Sequence, residues 1–303
     1  MERYEADALR SLASDVFVAC GAPQEEADVV AMQLVGSNLV GLDSHGVIRI
    51  PLYVKWIREG TIVPGAPISV VRESDTTAVV DCGGGFGQVG ALEAIKVATR
   101  KARKHHVSCV VTKACRHVGR LGYFTEMAAE AGMFALATVN SSKYGHTVVP
   151  FGGLEGRFAP NPISYAVPGP LHPLVADTAM STASEGKVRV YRNRGEKLPE
   201  GWIVDEKGRP SVDPEKFYAQ PRGWLLPVGG SLGHKGYALF LLCEILSGAL
   251  AGEGVTAEWP DGTNGLCFVV IDISAFTPSA RFNALIGEMT KYMKSAPPAP
   301  GFS

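Results

Sequence analysis

The sequence predicts an α/β protein with a helical N-terminal region, and three observations carry that prediction. Apolar residues recur at helical spacing through residues 2–40. From residue 68 onward, short β-rich runs alternate with helical ones. A glycine-rich run, Gly83 to Gly90, joins one such strand to one such helix.

Helices are expected over 2–19 and 24–40. Leu9, Leu12, Val16 and Ala19 stripe the first, and Val29, Met32, Leu34 and Val35 the second. Gly21 and Pro23 separate them, and Pro64-Gly65-Ala66-Pro67 closes the helical opening. Strands at 68–72 and 77–81 read as a hairpin turning at Glu73-Ser74-Asp75. A helix follows from Ala91 to about His105, then a strand at Val107–Val111, a helix from Leu121 to Ala131 and a buried strand at Phe134–Asn140. Asp177 and its hydroxyl-bearing neighbours lie between a strand at Leu174-Val175-Ala176 and a further helix. Residues 192–223, rich in Gly, Pro and charge, read as a long surface excursion. The apolar run Tyr237 to Ala251 is too short to span a bilayer and reads as a buried helix. A strand at Phe268–Ile273, a helix at 280–294 and a loose Pro-rich end complete the chain. The expected organisation is a helical region, 1–67, packing with helix 280–294, and an α/β core, 68–279.

The 303 residues are 46% hydrophobic and 19% charged, as in a globular enzyme. A net charge of −1 gives no general attraction to nucleic acid or to an anionic membrane, and no nucleic-acid motif is present. The six cysteines are scattered without a CxxC, which suits reduced thiols in the cytoplasm better than disulfides or zinc. The first residues, Met1-Glu2-Arg3-Tyr4-Glu5, lack a signal-peptide pattern.

The stretch Asp43-Ser44-His45-Gly46-Val47-Ile48-Arg49, continuing through Pro51 to Tyr53, concentrates chemistry. His titrates near neutrality and is the usual proton donor or acceptor. Arg offers the forked donor set that grips a carboxylate. That pairing is what reduction of a 2-oxo acid requires. In one helix His45, Arg49 and Tyr53 would share a face, although Pro51 argues for a break or a new helix start. An ordinary surface helix end would carry the same residues.

Gly85, Gly87 and Gly90 match G-x-G-x-x-G between a strand and a helix. A dinucleotide site of that type needs an acid about 20 residues on, to hold the ribose. No Asp or Glu occurs between Ala94 and Thr125. The alternative is a turn whose glycines let a helix approach a sheet. The same window holds Lys96, Arg100, Lys101, Arg103, Lys104, Lys113, Arg116 and Arg120. This is either a positive field for a phosphate-bearing cofactor or, over 96–104, a solvated helix face. Arg116-His117-Val118-Gly119-Arg120 follows a strand and opens a helix, a position suited to facing a ligand. Lys235, in Gly233-His234-Lys235-Gly236, sits at another helix start.

Together these stretches resemble the type-2 malate/L-lactate dehydrogenase family. The resemblance runs through Asp43 to Tyr53, Arg116-His117-Val118-Gly119 with Gly122-Tyr123, and Val149-Pro150-Phe151-Gly152-Gly153. It continues through Asn161-Pro162, Asp177-Thr178-Ala179-Met180-Ser181 and Lys235-Gly236-Tyr237. It implies a non-Rossmann mixed α/β fold that binds NADH or NADPH, and a homodimer with sites near the subunit interface. It implies His45 as proton donor with Ser44 as its relay and His117 close to the reacting carbon. Arg49, Tyr53, Pro160 and Lys187 would bind a small anionic substrate, a 2-oxo acid or a cyclic imino acid. His117, Val118, Gly119, Arg120, Leu121, Asp177, Thr178, Ala179, Gly229 and Lys235 would bind the cofactor, and no metal is implied. The basic window leans the cofactor expectation toward NADPH. Departures from the family pattern are Ala159-Pro160, Arg116 and Val118 around His117, and His234. The chain also ends at Ser303, where relatives are expected to continue against the cofactor.

Overall fold

A computed structural model describes residues 4–142, 145–255 and 262–301. Residues 2 and 3 of the first expected helix, and Ser303, lie outside the described residues. The helices are α1 (Ala6–Ala19), α2 (Gln24–Leu39), α3 (Ile50–Arg58), α4 (Gly87–His105), α5 (Gly122–Glu130), α6 (Glu185–Arg194), α7 (Glu215–Tyr218), α8 (Gly233–Cys243) and α9 (Ser279–Lys294). The strands are β1 (Ser69–Glu73), β2 (Thr77–Asp81), β3 (Val107–Lys113), β4 (Met133–Ser141), β5 (Ile163–Val167), β6 (Leu174–Thr178), β7 (Ile203–Val204), β8 (Pro210–Ser211), β9 (Trp224–Leu225) and β10 (Asn264–Asp272).

A seven-stranded mixed sheet in the order β1-β2-β3-β10-β4-β5-β6 organises the chain. Only β2 and β3 pair in parallel, with α4 as their connection; the other neighbours are antiparallel. β10 is the last strand in sequence yet lies at the centre. Its run Leu266 to Ile271 is almost wholly apolar, as a strand covered on both faces must be. The principal core joins this sheet to α4 and α5, with Phe124, Phe268, Ile95 and Leu121 fully buried. Each such side chain removed from water contributes about 1.5–3 kcal/mol. β1 is exposed along its length, and its irregular register with Arg72 and Glu73 blunts the open edge.

Helix α4 starts at Gly87, four residues before the expected Ala91. The glycine run explains this without a phosphate site. A Cβ on Gly87 would stand 2.1 Å from the Arg116 carbonyl oxygen and 2.5 Å from that of His117. One on Gly90 would stand 2.5 Å from the Cys82 sulfur. The glycines therefore let the first turn of α4 press against the 116–117 segment and β2. Toward its other end α4 buries Ala94, Ile95, Ala98 and Ala102 and turns Arg100, Arg103 and Lys104 outward. Those cations also suit the C-terminal end of a helix dipole.

The N-terminal helices have their own core, in which Phe17, Val30, Leu34, Tyr53 and Ile62 meet Phe86. Residues 192–223 are more than the expected surface excursion. They form the small sheet β8-β7-β9 and bury Leu198, Ile203 and Phe217 in a third core with Phe240. Isolated apolar residues in a polar stretch, converging only in three dimensions, build it. The run 237–250 departs from the expected buried helix. It is α8 followed by a π-helical turn, Glu244–Ala249, and Leu239, Leu241, Leu242, Ile245 and Leu250 are exposed. Helix α9 has no buried residue, and its Gly287 faces Pro170.

Gly87→Ala will drive the 116–117 segment off α4 and lower stability by roughly 1–3 kcal/mol, the cost of overpacking. Thermal denaturation measures this; an unchanged midpoint refutes the close-approach role.

Candidate functional site

The stretch 43–53 is not one helix. Two 3-10 turns, Asp43–His45 and Val47–Arg49, run into α3, and Pro51 sits in its first turn, where a missing N–H costs nothing. Asn38, at the end of α2, braces the turns. Its Nδ2 donates to the Asp43 carboxylate at 2.6 Å, and its Oδ1 accepts from the Val47 amide at 3.0 Å. The backbone passes so close that a Cβ on Gly46 would be 2.2 Å from Asn38 Oδ1.

This turn gathers the three expected groups. The Ser44 hydroxyl lies 3.0 Å from His45 Nδ1. Arg49 Nε donates to the Ser44 carbonyl at 2.6 Å. The two terminal nitrogens of Arg49 have no hydrogen-bond partner among the described residues, so the fork that grips a carboxylate is available. His45 is held down to about 4, first by burial and then by the Arg49 charge, so its imidazole is neutral at pH 7.

His117 comes to the same place from the sheet side. Its ring stacks on His45 with centroids 5.8 Å apart and 21° between planes. Its Nδ1 lies 2.7 Å from the Tyr53 hydroxyl, which also accepts from Gln88 Nε2 at 2.8 Å. Burial, followed by the charges of Arg49 and His45, holds His117 well below its ordinary value. Tyr53 is 1% exposed and pushed up to about 12, mainly by burial. Its hydroxyl is engaged by His117 and Gln88, and Trp56 stacks on its ring. Gln88, α4's second residue, went unnoticed in the sequence because it lay inside the glycine run.

The cofactor-side residues divide. The side chains of Val118 and Leu121 lie in the core, and the Val118 amide donates to Asn264 Oδ1, so these two offer no side chain to a ligand. The amides of Gly119, Arg120 and Leu121 donate to no described residue, and Gly119 has a φ of +76°. Asp177, at the end of β6, accepts the Gly122 amide at 2.6 Å and caps the start of α5. Burial raises its carboxyl, against the pull of that amide and of Arg120. Its other oxygen has no hydrogen-bond partner among the described residues. Open amides beside a carboxylate oxygen fit the carboxamide and ribose hydroxyls of a nicotinamide nucleotide.

Hydrogen bonds tie the remaining stretches together. The Met180 amide donates to the Pro160 carbonyl, and the Val228 amide to the Met180 carbonyl. Gly229 has a φ of +119° and precedes α8, where Lys235 is exposed in the first turn. Thr178 and Lys187 are exposed, and Ala179 is half-buried. Lys187 lies in the first turn of α6, whose Gly186 approaches the Ser44 side chain: a Cβ there would be 3.4 Å from Ser44 Cβ. Asn161, with a φ of +38°, donates to the buried Glu244 at 2.7 Å. Among the described residues no three His, Cys, Asp or Glu side chains group as metal ligands, and no helix is long and apolar enough to cross a membrane.

A neutral imidazole pair, an open guanidinium fork and a loop of unbonded amides are thus gathered in one region of the fold. Comparison with known proteins identifies the family. The family model for malate/L-lactate dehydrogenase matches residues 4–303. The chain is 38% identical to a malate dehydrogenase of Pyrococcus abyssi over 310 residues, covering 99% of this chain and 84% of that protein. It is 34% identical to an L-sulfolactate dehydrogenase of Methanocaldococcus jannaschii, covering 97% and 84%. A malate dehydrogenase structure from Entamoeba histolytica superposes with a TM-score of 0.93 at 27% identity, covering 100% of this chain and 87% of that one. A Δ1-piperideine-2-carboxylate reductase from Pseudomonas syringae superposes with a TM-score of 0.86 at 29% identity, covering 99% and 91%. The chain belongs to the malate/L-lactate dehydrogenase family. It is an oxidoreductase of the 2-hydroxy acid type that uses a nicotinamide cofactor.

Both imidazoles are neutral when folded and titrate near 6.5 when unfolded. Below about pH 6.5 the unfolded chain binds more protons, so stability falls as pH drops from 6.5 toward 4. Melting temperatures taken across that window will decline in the wild type and decline less in His45→Ala. Parallel slopes in the two proteins refute the assignment.

Proposed function

We propose that this enzyme interconverts a small 2-oxo acid and its 2-hydroxy acid, with His45 as the acid/base and Arg49 as the carboxylate clamp. The observation that carries this reading is the Ser44–His45–Arg49 turn, with its neutral imidazole beside an open guanidinium fork. In the oxidative direction neutral His45 takes the proton of the substrate hydroxyl, and Ser44 at Nδ1 orients its ring. In the reductive direction a substrate carboxylate on Arg49 offsets the charge that depresses His45, and so favours its protonated, donating form. Arg49 also fixes the acid end, a positioning effect. When bound, the nicotinamide supplies or takes the hydride. The Gly119–Leu121 amides, Asp177, and the Gly229 and Lys235 turn are proposed to hold that cofactor, with Thr178 and Ala179 beside them. Pro160 and Lys187 are proposed on the substrate side.

NADH and NADPH are both open to this site. The cations of α4's last turns lie most of a 19-residue helix away from the His117 end, about 25 Å at 1.5 Å per residue. The lean toward NADPH therefore rests on Lys113, Arg116 and Arg120, and Arg120 already pairs with Glu126 at 3.1 Å. A cyclic imino acid is the second reading for the substrate. It is favoured by the likeness to the piperideine-carboxylate reductase and by chemistry that serves C=N as well as C=O. The exposed leucines and Ile245 of α8 and its π-helical turn support a homodimer. All six cysteines are free, consistent with the proposed cytoplasmic location.

Absorbance of reduced nicotinamide will test the reading, with NADH and NADPH in parallel against pyruvate, oxaloacetate, a sulfonated keto acid and cyclic imines. Turnover of at least one 2-oxo acid is expected, with His45→Ala lowering kcat by about 10²–10⁴-fold. Arg49→Ala will chiefly raise the substrate KM. Unchanged kinetics in both variants would remove the proposed roles. Ile245→Glu will dissociate the dimer in light-scattering chromatography, and a wild-type monomer would end that part of the proposal.

A further inference from the structure

We infer that Gln88 is a positioning residue that sets the direction of the hydrogen-bond chain Gln88–Tyr53–His117, so that His117 presents a protonated Nε2 to the reacting centre. This rests on the functional reading above and assigns a division of labour within its site.

The chain of atoms is short, and its Gln88–Tyr53 end is closed to water. Gln88 and Tyr53 are each 1% exposed. Gln88 Nε2 donates to the Tyr53 hydroxyl oxygen at 2.8 Å, and that oxygen lies 2.7 Å from His117 Nδ1. An amide nitrogen only donates, so it occupies a lone pair of the phenol oxygen. The phenol's single proton is then directed to the remaining neighbour, His117 Nδ1, which must accept it. A neutral imidazole that accepts at Nδ1 carries its proton on Nε2. Tyr53 stays protonated and His117 neutral, as burial of both requires.

The consequence is chemical. To bind a second proton, His117 would need Nδ1–H to face a phenol whose own proton has no other hydrogen-bond acceptor among the described residues. The chain therefore opposes an imidazolium at His117 and leaves it a fixed donor. That donor suits a carbonyl oxygen on which negative charge grows, a role of the oxyanion-hole kind. His45, whose Nδ1 faces a rotatable serine hydroxyl, is free of this constraint. The two stacked imidazoles thus differ in what their second nitrogens meet: one is an acid/base, the other a pre-set donor. Gln88 contributes without touching substrate or cofactor.

The test is nitrogen NMR of protein carrying 15N-labelled histidine, with the His117 signals assigned by their loss in His117→Gln. The wild type is expected to show Nε2 protonated and Nδ1 bare. Gln88→Glu places an accepting carboxylate against the phenol, reverses the chain and moves the His117 proton to Nδ1. The same variant should lower kcat by about 10²-fold with little change in substrate KM, the loss of one preorganised donor. Gln88→Met, which neither donates nor accepts, should yield a mixture of tautomers. A wild-type spectrum with Nδ1 protonated would overturn the inference, as would Gln88→Glu with an unshifted tautomer. The wild-type spectrum needs no variant to fold and no substrate to turn over. An inactive protein with the expected tautomer would count against the substrate reading alone.

Discussion

The bond between the Tyr53 hydroxyl and His117 Nδ1 is the contact on which the site depends. It joins residues 64 apart, one on the helical N-terminal region and one on the loop after β3. Around it the two cores, α1–α3 with Phe86 and the sheet with α4 and α5, are brought edge to edge. The stack of His45 on His117 follows from that junction, because each imidazole is carried by a different unit. Buried polar groups tolerate few arrangements, since an unpaired phenol or imidazole costs about 1–3 kcal/mol.

Backbone proximity makes the junction possible. Gly87 removes the side chain that would collide with the Arg116 and His117 carbonyls, and Gly46 does the same against Asn38. Both histidine-bearing segments are thus held by backbone-to-backbone or backbone-to-amide packing. Precision of that kind suits acid–base chemistry, where small displacements of a donor weaken it steeply. Asp177 is a third example, since it caps α5 while its other oxygen has no hydrogen-bond partner among the described residues.

Much of the fold was legible. The helices and strands from α1 and α2 through β1–β4, the hairpin of β1 and β2, and the helix start at Pro51 followed from local rules of spacing and backbone restriction, whereas β5 did not. The acid missing after the glycine run argued against a phosphate fingerprint, and the Cβ distances at Gly87 and Gly90 give these glycines a packing role. The small sheet within 192–223 was not legible, because its buried residues are separated by polar chain and meet only through pairing. The exposed face of α8 was hidden for the opposite reason: an apolar run reads the same whether its cover comes from its own chain or from another.

The sequence by itself determined the residue types and their order: a hydroxyl, an imidazole and a guanidinium within one turn, glycines at the close approaches, and the family these stretches define. Local steric rules and colinear motifs suffice for that. Only the tertiary structure decided what each group faces. It set the Tyr53 hydroxyl against His117, sank Val118 and Leu121 into the core, set Asp177 under α5, and sent the cations of α4 away from the histidines. It also brought forward Gln88, which no motif marks. Hydrogen-bond partners and burial are properties of distant segments packed together, and spacing along the chain carries no record of them.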